Sequence, residues 1–283
     1  MTVAGPALRT WATRFGDVGL AVEVPADFGE IRSPWQGAGD APIALTLAAA
    51  STSAEFADAP THFSRLDSAG FAFSAASCAG EALWSADRGT LTLHDAAHRP
   101  LHRVQMLQES LFAMAYARIL RAGGLLLHAA TLWLDGQPFV VAGPSTAGKS
   151  TLSRRFHPDW WSDEHAFLVP TLKGWEVWRH LEFRGNSGPF PWRAPLGGLL
   201  WLGPERAQSR THDLTPAQAL AHMLPQALVA GPQTSPLVLA AVAKLCADVQ
   251  VRVLSHHLGT SPADLAQVIV GAVARQTGAR HAA

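Results

Sequence analysis

From Leu125 to Leu134 the chain reads LLLHAATLWL, apolar except at His128 and Thr131; it turns polar at Asp135-Gly136 and apolar again over Pro138–Ala142. Two apolar runs separated by an Asp-Gly dipeptide predict a hairpin. Before it, Val104, Leu107, Leu111, Met114, Ala115 and Ile119 recur at spacings of three and four, which predicts a helix over His102–Ala122 stopped by Gly123-Gly124. Residues 1–98 carry short β segments between Gly, Pro, Ser and Asp. Val18–Val24, Pro42–Leu47 and Leu83–Leu93 alternate in part, the last as a hairpin turning at Ala86-Asp87-Arg88-Gly89. Ala48–Ala59 is small and polar, a loop or short helix ended by Pro60.

Beyond the Leu125 hairpin, Gly143–Lys149 is glycine-rich and feeds a short helix, Lys149–Phe156, stopped by Pro158. Trp160-Trp161 leads as a strand into Ser162-Asp163-Glu164. Ala166–Leu172 and Trp175–Phe183 form a second hairpin around Lys173-Gly174, Gly185–Pro195 is a loop, and Leu196–Leu202 is an apolar strand. Helices follow at Thr215–Leu228, with Thr215 as N-cap and Pro216 in the first turn, at Pro236–Cys246, and at Ser261–Ala274. Between the last two, Val249, Val251 and Val253 alternate with Gln250 and Arg252 as a strand. The expectation is a β-rich N-terminal region, residues 1–100, followed by an α/β domain, residues 101–283, in which a mixed sheet carries flanking helices.

Composition narrows the classes. Apolar residues are 48 % and charged residues 16 % of 283, enough for a core and too apolar for a disordered chain. Lys+Arg 22 equals Asp+Glu 22, which argues against a broad nucleic-acid or anionic-membrane surface. No run of about 18 apolar residues occurs, so no membrane-spanning helix is expected. The first residues, MTVAGPALRTWATRF, lack the apolar centre of a signal peptide. Two distant cysteines, Cys78 and Cys246, fit a reducing cytoplasm rather than a disulfide scaffold. Only three lysines occur, Lys149, Lys173 and Lys244, which makes Lys149 conspicuous.

Lys149 completes the one strong motif. Gly143-Pro144-Ser145-Thr146-Ala147-Gly148-Lys149-Ser150 fits G-x-x-x-x-G-K-[ST] at every fixed position. Gly143 and Gly148 let the loop wrap a phosphate, and the N–H groups from Ser145 to Thr151 present partial positive charge to it. Lys149 reaches β- and γ-phosphates, and the Ser150 hydroxyl ligates Mg²⁺. Asp163 and Glu164 end the WWSDE segment soon after the loop's helix. Two adjacent carboxylates there divide the work, one toward Mg²⁺ and one accepting a proton from an attacking hydroxyl. His128, within an apolar run, reads on its own as a hydrogen-bonded core residue more readily than as a strand-end group facing phosphates.

Taken together, Leu127-His128-Ala129, the Asp135-Gly136 hairpin, GPSTAGKST and Asp163-Glu164 resemble the C-terminal domain of HPr kinase/phosphorylase and its relatives. Leu181-Glu182-Phe183-Arg184-Gly185 is similar to that family's Glu-x-Arg-Gly signature. The resemblance covers about residues 120–205. It implies the P-loop fold of phosphoenolpyruvate carboxykinases, ATP and Mg²⁺ as ligands, and phosphoryl transfer to a hydroxyl. It also implies Asp163 as general base, Glu164 as a metal-associated carboxylate, His128 and Arg184 as phosphate or transition-state contacts, and a homo-oligomer. Thr151 and Glu164 stand where the family carries an acidic residue and a second aspartate, and the N-terminal region is not that of HPr kinases, so the similarity runs toward the diverse HPr-kinase-related kinases.

Three functions remain open: a kinase acting on a serine of a protein or peptide, a non-catalytic ATP-binding regulatory or assembly module, and a small-molecule kinase or carboxykinase-like enzyme. Arg179, Arg184 and Arg193 surround the candidate acceptor loop, as anion ligands or as solvated hairpin ends. The ten tryptophans read as packing, and His256-His257, with no spaced acidic or cysteine partner, reads as structural.

Overall fold

The computed structural model describes residues 8–15, 18–25, 43–50, 62–67, 70–74, 78–83, 88–94, 112–113, 115–156, 160–162, 164–178, 191, 193–257 and 259–280. The chain is mixed α/β and divides into two units. One comprises residues 1–118, 181–187 and 229–236; the other comprises residues 119–180, 188–228 and 237–283. The expected N-terminal region, residues 1–100, falls within the first.

In the first unit a seven-stranded sheet is built from β1 (Leu8–Phe15), β2 (Val18–Pro25), β3 (Ile43–Ala50), β4 (His62–Leu66), β5 (Gly70–Ser74), β6 (Cys78–Leu83) and β7 (Arg88–His94), in the order β1-β2-β3-β7-β6-β5-β4. β3 pairs in parallel with both β2 and β7, and the remaining neighbours are antiparallel. Ala48–Ala50, expected as loop or helix, instead extends β3 and pairs with Thr92–His94 of β7. Ladder pairing overrides the weak strand preference of alanine there. β4 and β5 escape sequence reading because a register shift between Phe63 and Arg65 breaks the period of two. Phe63, Phe71, Phe73 and Tyr116 are buried and meet edge-on, stacked or tilted at 6.0–6.5 Å.

The second unit holds β8 (Leu125–Leu134), β9 (Gln137–Ala142), α1 (Lys149–Arg155), β10 (Trp160–Ser162), β11 (His165–Thr171), β12 (Gly174–Trp178), β13 (Arg193–Pro195), β14 (Gly198–Leu202), β15 (Arg210–Asp213), α2 (Pro216–Met223), β16 (Val251–Ser255) and α4 (Pro262–Arg280), together with most of α3 (Ser235–Asp248). Its strands form one sheet in the order β13-β12-β11-β8-β9-β14-β16-β15, with β10 also against β8. The predicted β8–β9 hairpin is present, its Asp135-Gly136 turn having φ of 50° and 74°, the primed geometry that matches strand twist. β9, β14 and β16 are parallel neighbours, so their carboxyl ends share one edge of the sheet.

Alternation along these strands covers both faces. Leu132, Leu134, Phe139, Val141, Leu200, Leu202 and Leu254 form a core with Leu152 and Phe156 from α1 and its end and with Leu265 and Ile269 from α4. Trp201, of opposite parity to Leu200 and Leu202, stacks on His222 of α2 with ring centroids 4.5 Å apart. The α3 residues Val238, Val242 and Leu245 are buried, as is Cys246, whose thiol burial pushes its pKa up to about 11. Among the described residues no helix is long and apolar enough to cross a membrane.

Several expected boundaries move. Residues 112–113 and 115–121 are helical, and the earlier part of the expected His102–Ala122 helix lies outside the described residues. Arg193–Pro195, expected as loop, is an edge strand paired with β12, a position that tolerates Pro195. β12 is described to Trp178; the expected continuation to Phe183 lies outside the described residues. α2 ends at Met223 rather than Leu228, passing into a 3-10 turn at Leu224–Gln226 that contains Pro225. β15 is polar and lies at the sheet edge, so it offers no apolar period to read. In β16 all five residues are buried, including Arg252, whose Nε donates to Asp213 Oδ1 at 2.8 Å.

Candidate functional site

β9 ends at Ala142 and the chain enters the Gly143–Gly148 loop before α1 begins at Lys149. The two fixed glycines serve different needs. A Cβ on Gly143 would stand 3.2 Å from Leu202 Cβ and 3.4 Å from Ala147 Cβ, so the loop's first residue is small because β14 lies against it. Gly148 has open space around it, but its φ is 94°. Thr146 is also left-handed, at φ 75°. The turn is closed by Ala147 N–H donating to Pro144 O at 3.1 Å, and Leu152 N–H donates to Gly148 O as the helix starts.

Lys149 is 5 % exposed and curls back over the loop: its Nζ donates to Gly143 O at 2.7 Å and to Pro144 O at 3.0 Å. Burial holds its pKa below the ordinary lysine value. The Ser150 and Thr151 side chains on the first turn of α1 are exposed.

The facing wall comes from β8 and its two partners on one side. β10 pairs Trp160 with Leu132 and Ser162 with Thr131, whereas β11 resumes with His165 opposite His128. Glu164 sits at the interruption between them. Its carbonyl accepts from Ala129 N–H at 3.1 Å, and the Ser162 hydroxyl accepts from the N–H groups of Glu164 at 3.4 Å and His165 at 3.2 Å. The break in pairing thus leaves the Glu164 side chain exposed at a fixed backbone position.

His128 is exposed while its strand neighbours are buried. It is therefore not the core histidine that its apolar run suggests. Its ring meets that of His165 edge-on at 6.4 Å. Although the side chain is exposed, its surroundings partly desolvate the ring and lower its pKa; Lys149 lowers it further, and Glu164 opposes both.

These pieces line one cavity of about 480 Å³: His128, Glu164, Ser145, Thr146, and Gly148 to Thr151. Sequence reasoning singled out each of them. Gly143 and Ala147, expected with them, do not line it. Gly143 is buried with its carbonyl committed to Lys149, and Ala147 packs against the core. Asp163 and Arg184 lie outside the described residues. Ser162, the residue that fixes the Glu164 backbone, was not foreseen; its small hydroxyl ahead of two acids was the only signal.

The described groups fit a magnesium–polyphosphate ligand in kind. Mg²⁺ takes one or two protein oxygens and completes its shell with phosphate oxygens and water, and the Ser150 hydroxyl and Glu164 carboxylate are two such oxygens on one cavity. No cluster of three or more His, Cys, Asp or Glu suited to holding a metal on its own occurs among the described residues.

The sequence pattern of a family described as SynChlorMet cassette protein ScmC matches residues 92–179, a stretch that includes His128, the Gly143–Ser150 loop and Glu164. No curated protein matches this chain.

Proposed function

We propose that the second unit is an ATP-dependent kinase domain of the P-loop, phosphoenolpyruvate-carboxykinase-like kind, passing the γ-phosphoryl group to a hydroxyl on a protein or peptide serine. The observation that carries this reading is the convergence of Lys149, Ser150, Glu164 and His128 on one cavity, although they come from separate elements. The ScmC likeness spans the same residues.

In this reading the loop amides and Lys149 hold the β- and γ-phosphates, and Ser150 and Glu164 hold Mg²⁺. The metal ion, when bound, neutralises charge on the phosphate oxygens. Asp163, next to Glu164 in the chain, takes the proton of the acceptor hydroxyl as its oxygen bonds to phosphorus and ADP leaves. His128 contacts the phosphates, and Arg184 steadies the acceptor side. An enzyme of this kind works in the cytoplasm, where ATP is supplied.

Lys149→Ala should reduce nucleotide binding and abolish phosphoryl transfer, read by calorimetry and by label transfer from γ-labelled ATP. Full transfer by this variant would overturn the proposal. Asp163→Asn separates a kinase from a binding module: a kinase keeps ATP affinity and loses turnover, whereas a module shows no turnover in the parent chain.

A further inference from the structure

His128 lines the cavity around Lys149 from an exposed position on β8, between buried neighbours. The other described groups on that cavity are tied down. Lys149 rests on two carbonyls, Ser150 rides on the first turn of α1, and the Glu164 backbone is fixed by Ala129 and Ser162. An exposed imidazole, by contrast, turns between several staggered positions about its side-chain bonds unless a neighbour limits them.

That neighbour is His165, the first residue of β11. Antiparallel pairing sets it directly opposite His128, and residues so placed project from the same face of the sheet. The two rings meet edge to face, with centroids 6.4 Å apart and planes at 84°. Aromatic rings favour this arrangement, the edge of one lying on the face of the other.

His165 is itself anchored. It is half-buried, and its N–H donates to the Ser162 hydroxyl at 3.2 Å. The ladder between β11 and β8 begins at this residue. Yet His165 does not line the cavity. An anchored ring outside the cavity thus braces an exposed ring that borders it.

We infer that His165 is a positioning residue for the phosphate site, its ring holding the His128 imidazole on the Lys149 cavity. The inference rests on the proposed function, in which His128 contacts the phosphates. It adds a residue that acts on the ligand only through another side chain. The rival role for His165 is structural: it starts β11 and so supports the Glu164 backbone. In that case its removal would cost affinity whether or not His128 is present.

The test reads Mg-ATP affinity by calorimetry on the full chain, which needs no acceptor. His165→Leu fills similar space without a flat ring and should weaken binding about three- to tenfold, the span of one edge-to-face contact. His165→Phe keeps a flat ring and should restore most of the loss. In a chain already carrying His128→Ala, His165→Leu should have no further effect, because the ring it braces is gone. A second measurement needs no variant at position 165. In the ligand-free parent chain, nuclear cross-relaxation should connect the ring protons of His165 with those of His128, whose signals are identified by their disappearance in His128→Ala. Unchanged affinity in either single variant, losses that add in the double variant, or absent cross-relaxation would overturn the inference and leave the phosphate grip of the loop standing. Failure of the parent chain to bind Mg-ATP would overturn the inference and the proposed function together.

Discussion

His256 makes a prediction that does not depend on any ligand. Its folded pKa lies below 6.5 because of burial, Arg155 and His257, with Glu205 opposing. Between the folded value and 6.5 the unfolded chain therefore binds more protons than the folded one, and stability rises with pH across that window. As pH falls from about 7 toward 5, urea midpoints of the parent protein should drop, and those of His256→Asn should drop less; identical slopes would contradict the assignment. Glu164 makes the complementary prediction for activity. Its backbone is pinned by Ala129 and Ser162, so Glu164→Gln keeps the geometry and removes the charge. In the proposed kinase, turnover should fall by about two orders of magnitude or more, with the thermal midpoint nearly unchanged. Lys149, Ser150 and Glu164 were legible in the sequence because a fixed-spacing motif and an acidic pair announce their chemistry locally. His128 was not legible on its own, since an apolar run gives no sign that one position of β8 faces out.

Helix and strand ends carry the next layer of constraint. Gly124 follows the helical residues 115–121, and its N–H donates to Ile119 O at 2.8 Å. A Cβ there would lie 2.4 Å from Leu168 O on β11 and 3.2 Å from Ile119 O. Both are backbone atoms, so Gly124→Ala should destabilise the chain by about 2 kcal/mol or more, seen as a lower urea midpoint. At α2, Thr215 and Gln218 form a reciprocal capping box, and Thr215→Ala should cost about 1 kcal/mol. The Thr215 cap, the Asp135-Gly136 turn and the starts of α1 and α4 are local devices, and the sequence displayed them. β13, β15 and the extension of β3 are created by pairing with strands distant in the chain, so composition within each segment could not announce them.

For the molecule as a whole, ligand linkage tests the proposal without an acceptor. A ligand that binds only the folded state at 100 times its Kd adds about 2.7 kcal/mol of stability. Mg-ATP should therefore raise the thermal midpoint of the parent chain and raise that of Lys149→Ala by clearly less at the same concentration; equal shifts in both would place the nucleotide elsewhere. The loop and its acidic partner were readable because they are contiguous or nearly so. A cavity of about 610 Å³ beside them draws on Pro144, Trp201 and His256, which come together only through the parallel order of β9, β14 and β16 and so were not readable locally.

The inward curl of Lys149 has a consequence for selectivity. Its ammonium already rests on two carbonyl dipoles, at 2.7 and 3.0 Å. Any anion that draws it outward gains only the difference between a full charge and those dipoles, less the freeing of two main-chain oxygens to solvent. A singly charged ester gains little by that exchange, whereas a chain of several phosphates gains much. In the proposed kinase the side chain thus acts as a threshold latch, ignoring weak anions and releasing only to dense negative charge.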